Sequence, residues 1–157
     1  MPKNLHGTLK NERIQHLTKR PPVMVPSGTP LKTVLETLKQ QRRGCVIVQS
    51  NHKVIGLFTE RDLLTRVIEP RLSLQTPIDQ VMTPNPMTLP LTASVAEAIQ
   101  LMSQKGYRNI PMVDEQGGVQ GIISVRDILK FLAEHFPYEV YNLPPDLHQI
   151  NRAREGA

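Results

Sequence analysis

Leu31, Val34, Leu35 and Leu38 fall at i, i+3, i+4 and i+7, with polar residues between them. That spacing lays one apolar stripe along a helix and predicts an amphipathic helix over about residues 30–41. The stripe returns at Val95, Ala98, Ile99 and Met102, predicting a second helix over about residues 94–105. Thr29 is the N-cap candidate for the first, and Thr92 or Ser94 for the second. A short extended piece ending in proline precedes each helix: Val23 to Pro26, and Met87 to Pro90. Short apolar runs of strand length follow, Cys45 to Val48 and Ile110 to Val113. The stretches Ser50 to Lys53 and Asp114 to Gly118 are polar and turn-rich, and they read as hairpin loops. Second strands run Val54 to Phe58 and Val119 to Ile123, and a last helix starts after Thr59 or Ser124. The order β-α-β-β-α therefore occurs twice.

The two halves also match residue by residue. At an offset of 64, Ile14, Pro22 and Pro26 coincide with Ile78, Pro86 and Pro90. After one inserted residue the offset is 65, and Arg43, Val48, Gly56, Arg61, Asp62 and Leu64 coincide with Arg108, Val113, Gly121, Arg126, Asp127 and Leu129. The expected organisation is a basic N-terminal arm (1–13), a first repeat (14–69), a linker (70–77), a second repeat (78–135) and a proline- and aromatic-rich tail (136–157). One repeat alone would expose an apolar sheet face. Two copies can cover those faces mutually, so the expected fold is α/β (α+β), two pseudosymmetric units packed sheet to sheet.

Composition narrows the class. Hydrophobic content of 39% with 21% charged residues fits a folded chain rather than a disordered one. No apolar run approaches the roughly 18 residues of a membrane span. The first residues carry no apolar core of signal-peptide length, so a cytoplasmic protein without membrane association is expected. Cys45 is the one cysteine and lies in an apolar run, which suits a buried structural thiol. His6, His16, His52, His135 and His148 are scattered, and no cluster has metal-ligand spacing. Met82, Met87, Met102 and Met112 read as packing residues. The net charge of +5 is concentrated early, where Lys3, Lys10, Arg13, Lys19 and Arg20 face only Glu12. Such an arm can bind nucleic acid or an anionic surface, and is more often a plain solvated segment.

Candidate chemistry lies in a motif present twice: Gly56-Leu57-Phe58-Thr59-Glu60-Arg61-Asp62 and Gly121-Ile122-Ile123-Ser124-Val125-Arg126-Asp127. Both read G-h-h-[ST]-x-R-D at a strand-to-helix junction. A hydroxyl at the N-cap with an acid three residues on is a capping device that stabilises a helix start by about 1 kcal/mol. The same junction suits an anionic ligand, because helix amides and dipole face it. A carboxylate there can accept hydrogen bonds from vicinal ribose hydroxyls, and the hydroxyl and arginine can reach phosphate.

Taken together, the Val-x-Pro piece, the amphipathic helix, Arg108-Asn109-Ile110-Pro111-Met112-Val113-Asp114 and the G-h-h-[ST]-x-R-D motif resemble the CBS domain, and the tandem resembles a Bateman module. The resemblance covers about residues 14–133. It implies two pseudo-equivalent clefts between paired sheets, each taking an adenosine nucleotide: AMP, ADP or ATP, with S-adenosylmethionine as the lesser alternative. Mg²⁺ is implied only beside a triphosphate, and no residues are assigned to hold it. By the resemblance Asp62 and Asp127 hold ribose, Thr59 and Ser124 lie near ribose and phosphate, and Arg43, Arg108, Arg61 and Arg126 face phosphate. Tyr107, Ile110 and Pro111 would flank one adenine, and Gly44, Cys45 and Val46 the other. Thr29 and Ala93 would close the pockets at the helix starts. The first repeat lacks the Pro and Asp of Ile110-Pro111-Met112-Val113-Asp114, which puts equal occupancy of the two sites in question.

The resemblance further implies a regulatory module without catalysis, dimerising with a second copy and signalling to a separate partner protein, the tail offering a contact to the second subunit. Three other readings compete. One is nucleic-acid binding through the arm; another is a ligand-free assembly scaffold. The third is an enzyme using Asp62 and Asp127 as acid and base, with no paired histidine, nucleophile elbow or Walker loop to support it.

Overall fold

The computed structural model describes residues 4–18 and 20–136. The tail beyond Phe136, with its expected subunit contact, lies outside the described residues, as do Lys3 and Lys19. In the first repeat β1 (Met24–Pro26) runs parallel to β2 (Cys45–Ser50), and β2 pairs antiparallel with β3 (Lys53–Thr59). Helix α2 (Leu31–Gln41) makes the crossover from β1 to β2. The second repeat copies this with β5 (Leu89–Pro90), α4 (Val95–Lys105), β6 (Asn109–Val113), β7 (Val119–Ser124) and α5 (Val125–His135). The predicted order β-α-β-β-α holds in both. Helices α2 and α4 end 64 residues apart, at Arg42 and Gly106, each in the left-handed region (φ 52° and 72°). Gly106 takes that conformation without a Cβ penalty. The residue inserted in the second repeat therefore falls in the loop after α4, which carries Tyr107.

Strand alternation decides what each side chain meets. Val46, Val48 and Phe58 point to α2 and join Val34 and Leu38 in the first core. Ile110, Met112 and Ile123 join Val95, Ala98 and Met102 in the second. Residues on the opposite faces, Ile47 and Leu57 from the first sheet and Ile122 from the second, form a third cluster with Cys45, Val54 and Val119. The two sheets thus pack face to face, as the duplication predicted.

The leaders of the two repeats are exchanged in space. Ile14, fully buried, sits in the second core, and Ile78, also fully buried, sits in the first. Ile14 N donates to Ala93 O (2.9 Å), and its mate Ile78 N donates to Thr29 O (2.8 Å). Returning bonds run from Val95 N to Glu12 O and from Leu31 N to Thr76 O (2.9 Å each). Isolated bridges Arg13–Ser94 and Pro30–Pro77 complete the symmetric exchange. The second exchange has an additional strap: both oxygens of Asp79 are engaged, one by Ser27 Oγ and one by Gly28 N (2.5 Å each). The Ser27 hydrogen bond is the chief reason the Asp79 carboxyl is held below its ordinary value.

Four expectations need correction. The arm is not a solvated segment: Leu5–Asn11 forms α1, capped by Asn4, which packs on α4 while Leu9 and Leu17 lie against the second core. Thr29 is not an N-cap; Pro30 holds that position, and Thr29 Oγ1 donates to Pro26 O (2.6 Å). Ser94, one of the two candidates for α4, does cap, in a reciprocal box with Glu97. The first sheet gains an unforeseen edge strand, β4 (Thr83–Pro84), beside β3. The helix after Thr59 is irregular: α3 (Glu60–Asp62) passes into a π-helical stretch, Leu63–Ile68, whereas α5 is regular.

Because each core holds the other repeat's isoleucine, neither repeat should unfold alone. Ile14→Ala and Ile78→Ala should each cost about 2–5 kcal/mol in urea unfolding, through one cooperative transition. A two-step curve with only one step moved by each variant would contradict the exchange.

Candidate functional site

A cleft of about 1020 Å³ is lined by both motifs together. Its walls include Arg43, Gly44, Cys45, Thr59, Arg61 and Asp62 from the first repeat. Tyr107, Arg108, Ser124, Arg126 and Asp127 come from the second. Eleven of the sixteen candidate residues are thus brought together, and in one continuous cleft rather than separate ones. The volume is in the upper range for small-molecule sites.

The other five lie elsewhere. Val46 and Ile110 are fully buried and turn to their own helical cores. Pro111 is buried in β6 opposite Ile122 and does not line the cleft. Thr29 and Ala93 do not close the cleft either; their carbonyls hold the exchanged leaders. The period-2 alternation that made the runs legible as strands also sends every second side chain away from the cleft.

At both junctions the capping reading is realised in full. Thr59 N and Oγ1 donate to Asp62 Oδ2 (2.9 and 3.1 Å), and Asp62 N donates back to Thr59 Oγ1 (3.4 Å). Ser124 N and Oγ donate to Asp127 Oδ2 (both 2.8 Å), and Asp127 N donates to Ser124 Oγ (3.1 Å). The first amides of the two helices, Glu60 N and Val125 N, donate to Gly44 O and Arg108 O (3.0 Å each). Much of the expected amide-rich anion site is therefore satisfied internally. The motif glycine has a packing cause as well: a Cβ on Gly56 would come within 2.1 Å of Met82 Sδ.

The charges left facing the cleft are mostly positive. Arg20, Lys39, Arg42, Arg43, Arg61, Arg108 and Arg126 line it against Glu60, Asp62 and Asp127. This excess of four positive charges draws anions. Sequence reasoning missed Arg20, Lys39, Arg42 and Glu60. Arg20 was counted with the arm, and only the path of the chain after Ile14 carries it over the cleft. The half-buried Arg43 donates to Pro21 O. Burial, and then Arg20, depress its pKa, while Asp127 opposes them. Burial, with Asp62 adding to it, pushes the Cys45 thiol up to about 12. It stays protonated near neutral pH and acts as a small apolar wall rather than a nucleophile.

Asp62 and Asp127 differ in one respect. Asp62 Oδ1 faces Arg66 Nε at 3.6 Å, and Arg66 also donates to Val81 O and Met82 O (3.1 Å each). No ion pair to Asp127 forms among the described residues. Among the described residues no group of three or more His, Cys, Asp or Glu has a metal-holding arrangement, and no helix is long and apolar enough to cross a membrane.

Two exchanged β-α-β-β-α units around a shared cationic cleft define a paired-repeat module. The family model of the CBS domain matches residues 14–69 and 78–134, and the chain belongs to that family as a tandem pair. An uncharacterised protein of Methanopyrus kandleri is 33% identical over 111 residues, which are 68% of this chain and 57% of that protein. A CBS domain-containing protein of Arabidopsis thaliana is 33% identical over 129 residues, covering 80% of this chain and 23% of its own length. The chain thus spans just over half of the archaeal relative and about a quarter of the plant one. A CBS domain protein of Pyrobaculum aerophilum, solved in complex with AMP, superposes with a TM-score of 0.70 at 29% identity. That match covers 78% of this chain and 98% of the other.

Removing the cap hydroxyl should weaken either helix start without emptying the cleft of charge. Thr59→Ala and Ser124→Ala should each cost about 1 kcal/mol in thermal unfolding. Two unchanged melting curves would show that the hydroxyls are held for a ligand alone.

Proposed function

We propose that the chain is a regulatory module that binds an adenosine nucleotide in the shared cleft and passes the signal allosterically to a separate protein. The observation that carries this reading is the meeting of both motif carboxylates with seven cationic side chains in one cleft. A carboxylate beside guanidinium groups matches a ribose joined to phosphate. The AMP bound by the Pyrobaculum aerophilum relative supports the same ligand class, with ADP, ATP and S-adenosylmethionine as further candidates. Each carboxylate gives Oδ2 to its cap, which leaves Oδ1 of Asp127 for a ribose, whereas Oδ1 of Asp62 faces Arg66 at 3.6 Å.

The reading as a nucleic-acid binder gains nothing specific from the arm, because α1 packs on α4 and, of the arm's described basic residues, Arg20 turns to the cleft while Lys10 and Arg13 are singly exposed. The enzyme reading gains no support either, since both carboxylates serve as helix caps at equivalent positions. In our reading the module works in the cytoplasm as a homodimer. Leu64 and its mate Leu129 are 61% and 60% exposed on the last helices of the two repeats, which suits a self-complementary interface. Signalling then follows from population shift: a nucleotide that prefers one geometry of the paired repeats stabilises that geometry.

Calorimetric titration of the folded protein with AMP, ADP, ATP and S-adenosylmethionine tests the proposal. Saturable binding of an adenosine nucleotide is expected, weakened about tenfold or more by Asp127→Asn, which removes a charged hydrogen-bond acceptor. Absence of saturable binding by all four would overturn it.

A further inference from the structure

At two places the duplication sets an arginine against an uncharged mate. In the crossings, Arg20 at the cleft has Pro84 as its mate at the offset of 64. In the last helices, Leu63, Arg66 and Val67 align at the offset of 65 with Ile128, Phe131 and Leu132. Ile128 and Phe131 are buried in α5, and Leu132 is half-buried beside them. Arg66 cannot follow Phe131 inward, because an unpaired guanidinium is costly in an apolar core. The first repeat answers with the π-helical stretch Leu63–Ile68. There the bonds run from i to i+5: Glu69 N donates to Leu64 O (3.0 Å) and Leu72 N to Val67 O (2.9 Å). The wider turn brings Val67 into the first core and leaves Arg66 outside it.

Outside the core, Arg66 joins three parts of the molecule. Its Nη1 donates to Val81 O and Met82 O (3.1 Å each), carbonyls at the end of the second leader. Its Nε faces Oδ1 of Asp62 at 3.6 Å, an ion pair too long to be a hydrogen bond. The lone pairs of that oxygen therefore stay open to a donor from the cleft. Arg66 also lies in the same stretch as Leu64 and Ile68, both strongly exposed. The mates of these two are Leu129, equally exposed, and Ala133, so the apolar face is broader on the first repeat. The second half has no such junction: the Phe131 ring stacks on His135 with centroids 4.3 Å apart.

We propose that Arg66 is a positioning residue that relays occupancy of the cleft from Asp62 to the second leader and to the exposed Leu64–Ile68 face, so that the first half of the cleft reports and the second does not. A ligand donor on Asp62 Oδ1 fixes the carboxylate, the fixed carboxylate holds the guanidinium, and the guanidinium holds the carbonyls of Val81 and Met82. The partly exposed ion pair is weak by itself, so the relay is loose in the empty chain and tightens when the cleft fills. Both ends then bias one element, which is the physical requirement for coupling between distant sites. The π register is what makes the relay possible, because it keeps Arg66 out of the core and within reach of both partners.

The inference rests on the nucleotide-binding reading, and residue-resolved NMR on the full chain separates the two. Amide exchange is measured with and without the tightest-binding of AMP, ADP, ATP and S-adenosylmethionine, in wild type, Arg66→Gln and Arg66→Met. The amides of Val81 and Met82, both bonded to Ile78 O, are the reporters. In wild type the nucleotide should slow their exchange about tenfold or more. Gln stays outside the core, so Arg66→Gln should keep the fold and the π register while that ratio falls below about twofold. Met can enter the core as Phe131 does, so in Arg66→Met the Glu69 amide should pass from Leu64 O to Thr65 O, read by coupling across the hydrogen bond. A merely structural Arg66 would speed exchange equally with and without nucleotide, and a ratio unchanged in Arg66→Gln would overturn the relay. A Glu69 amide still bonded to Leu64 O in folded Arg66→Met would overturn the account of the register. Nucleotide bound by wild type without slowing at Val81 and Met82 would overturn the relay and leave the nucleotide reading standing. Failure of all four ligands to bind folded wild type would overturn both.

Discussion

The exchange of the two leader isoleucines is the constraint on which the rest depends. Ile14 completes the second core and Ile78 completes the first, each tied by a backbone hydrogen bond to the residue just before the partner helix's first turn. Once a leader is anchored in one repeat and its following strand in the other, the chain between them must cross from one to the other. Those crossings are what bring Arg20 and Pro22 to the cleft on one side and Thr83 and Pro86 on the other. The cleft is thus roofed by the same segments that hold the repeats together. A ligand that engages them acts on the inter-repeat geometry directly.

The motif residues serve two ends with different atoms. Asp62 and Asp127 each commit one oxygen to a capping box, and Gly56 is required because Met82 from the crossing segment lies against it. Those roles explain the Gly, the hydroxyl and the Asp without any ligand. They do not explain Arg61 and Arg126, which are exposed in the cleft wall, nor the surplus of cations around them. A ligand role therefore falls to the arginines and to the path of the crossing segments. The local asymmetry of Arg66 against Phe131, and of Arg20 against Pro84, then makes two similar repeats into unequal halves.

Local features were legible in the sequence because their causes are local. The i, i+3, i+4, i+7 stripes gave α2 and α4 within a residue, and the hairpins followed from short apolar runs divided by turn residues. Eleven of the candidate residues meet in the cleft; the repeated motif pointed to Thr59, Arg61, Asp62, Ser124, Arg126 and Asp127, and the family resemblance to Arg43, Gly44, Cys45, Tyr107 and Arg108. The exchange was not legible, since an internal match shows which residues are alike and not which core they enter. Thr29 and Ala93 were noticed, but a sequence does not show that their carbonyls receive a leader from far along the chain. Val46 and Ile110 were misplaced because the phase of a strand is fixed only when its partner sheet is known. Arg20 was passed over because its charge was assigned to an arm whose helix and path come from tertiary packing.

Segment-resolved hydrogen exchange with and without AMP tests the central claim, that the leaders make the two repeats one unit with one shared cleft. The account predicts that AMP slows exchange in β2 and β3 of the first repeat as much as in β6 and β7 of the second, with the crossing around residues 18–23 protected alongside them. Protection confined to the strands of one repeat, with the other exchanging as before, would contradict it.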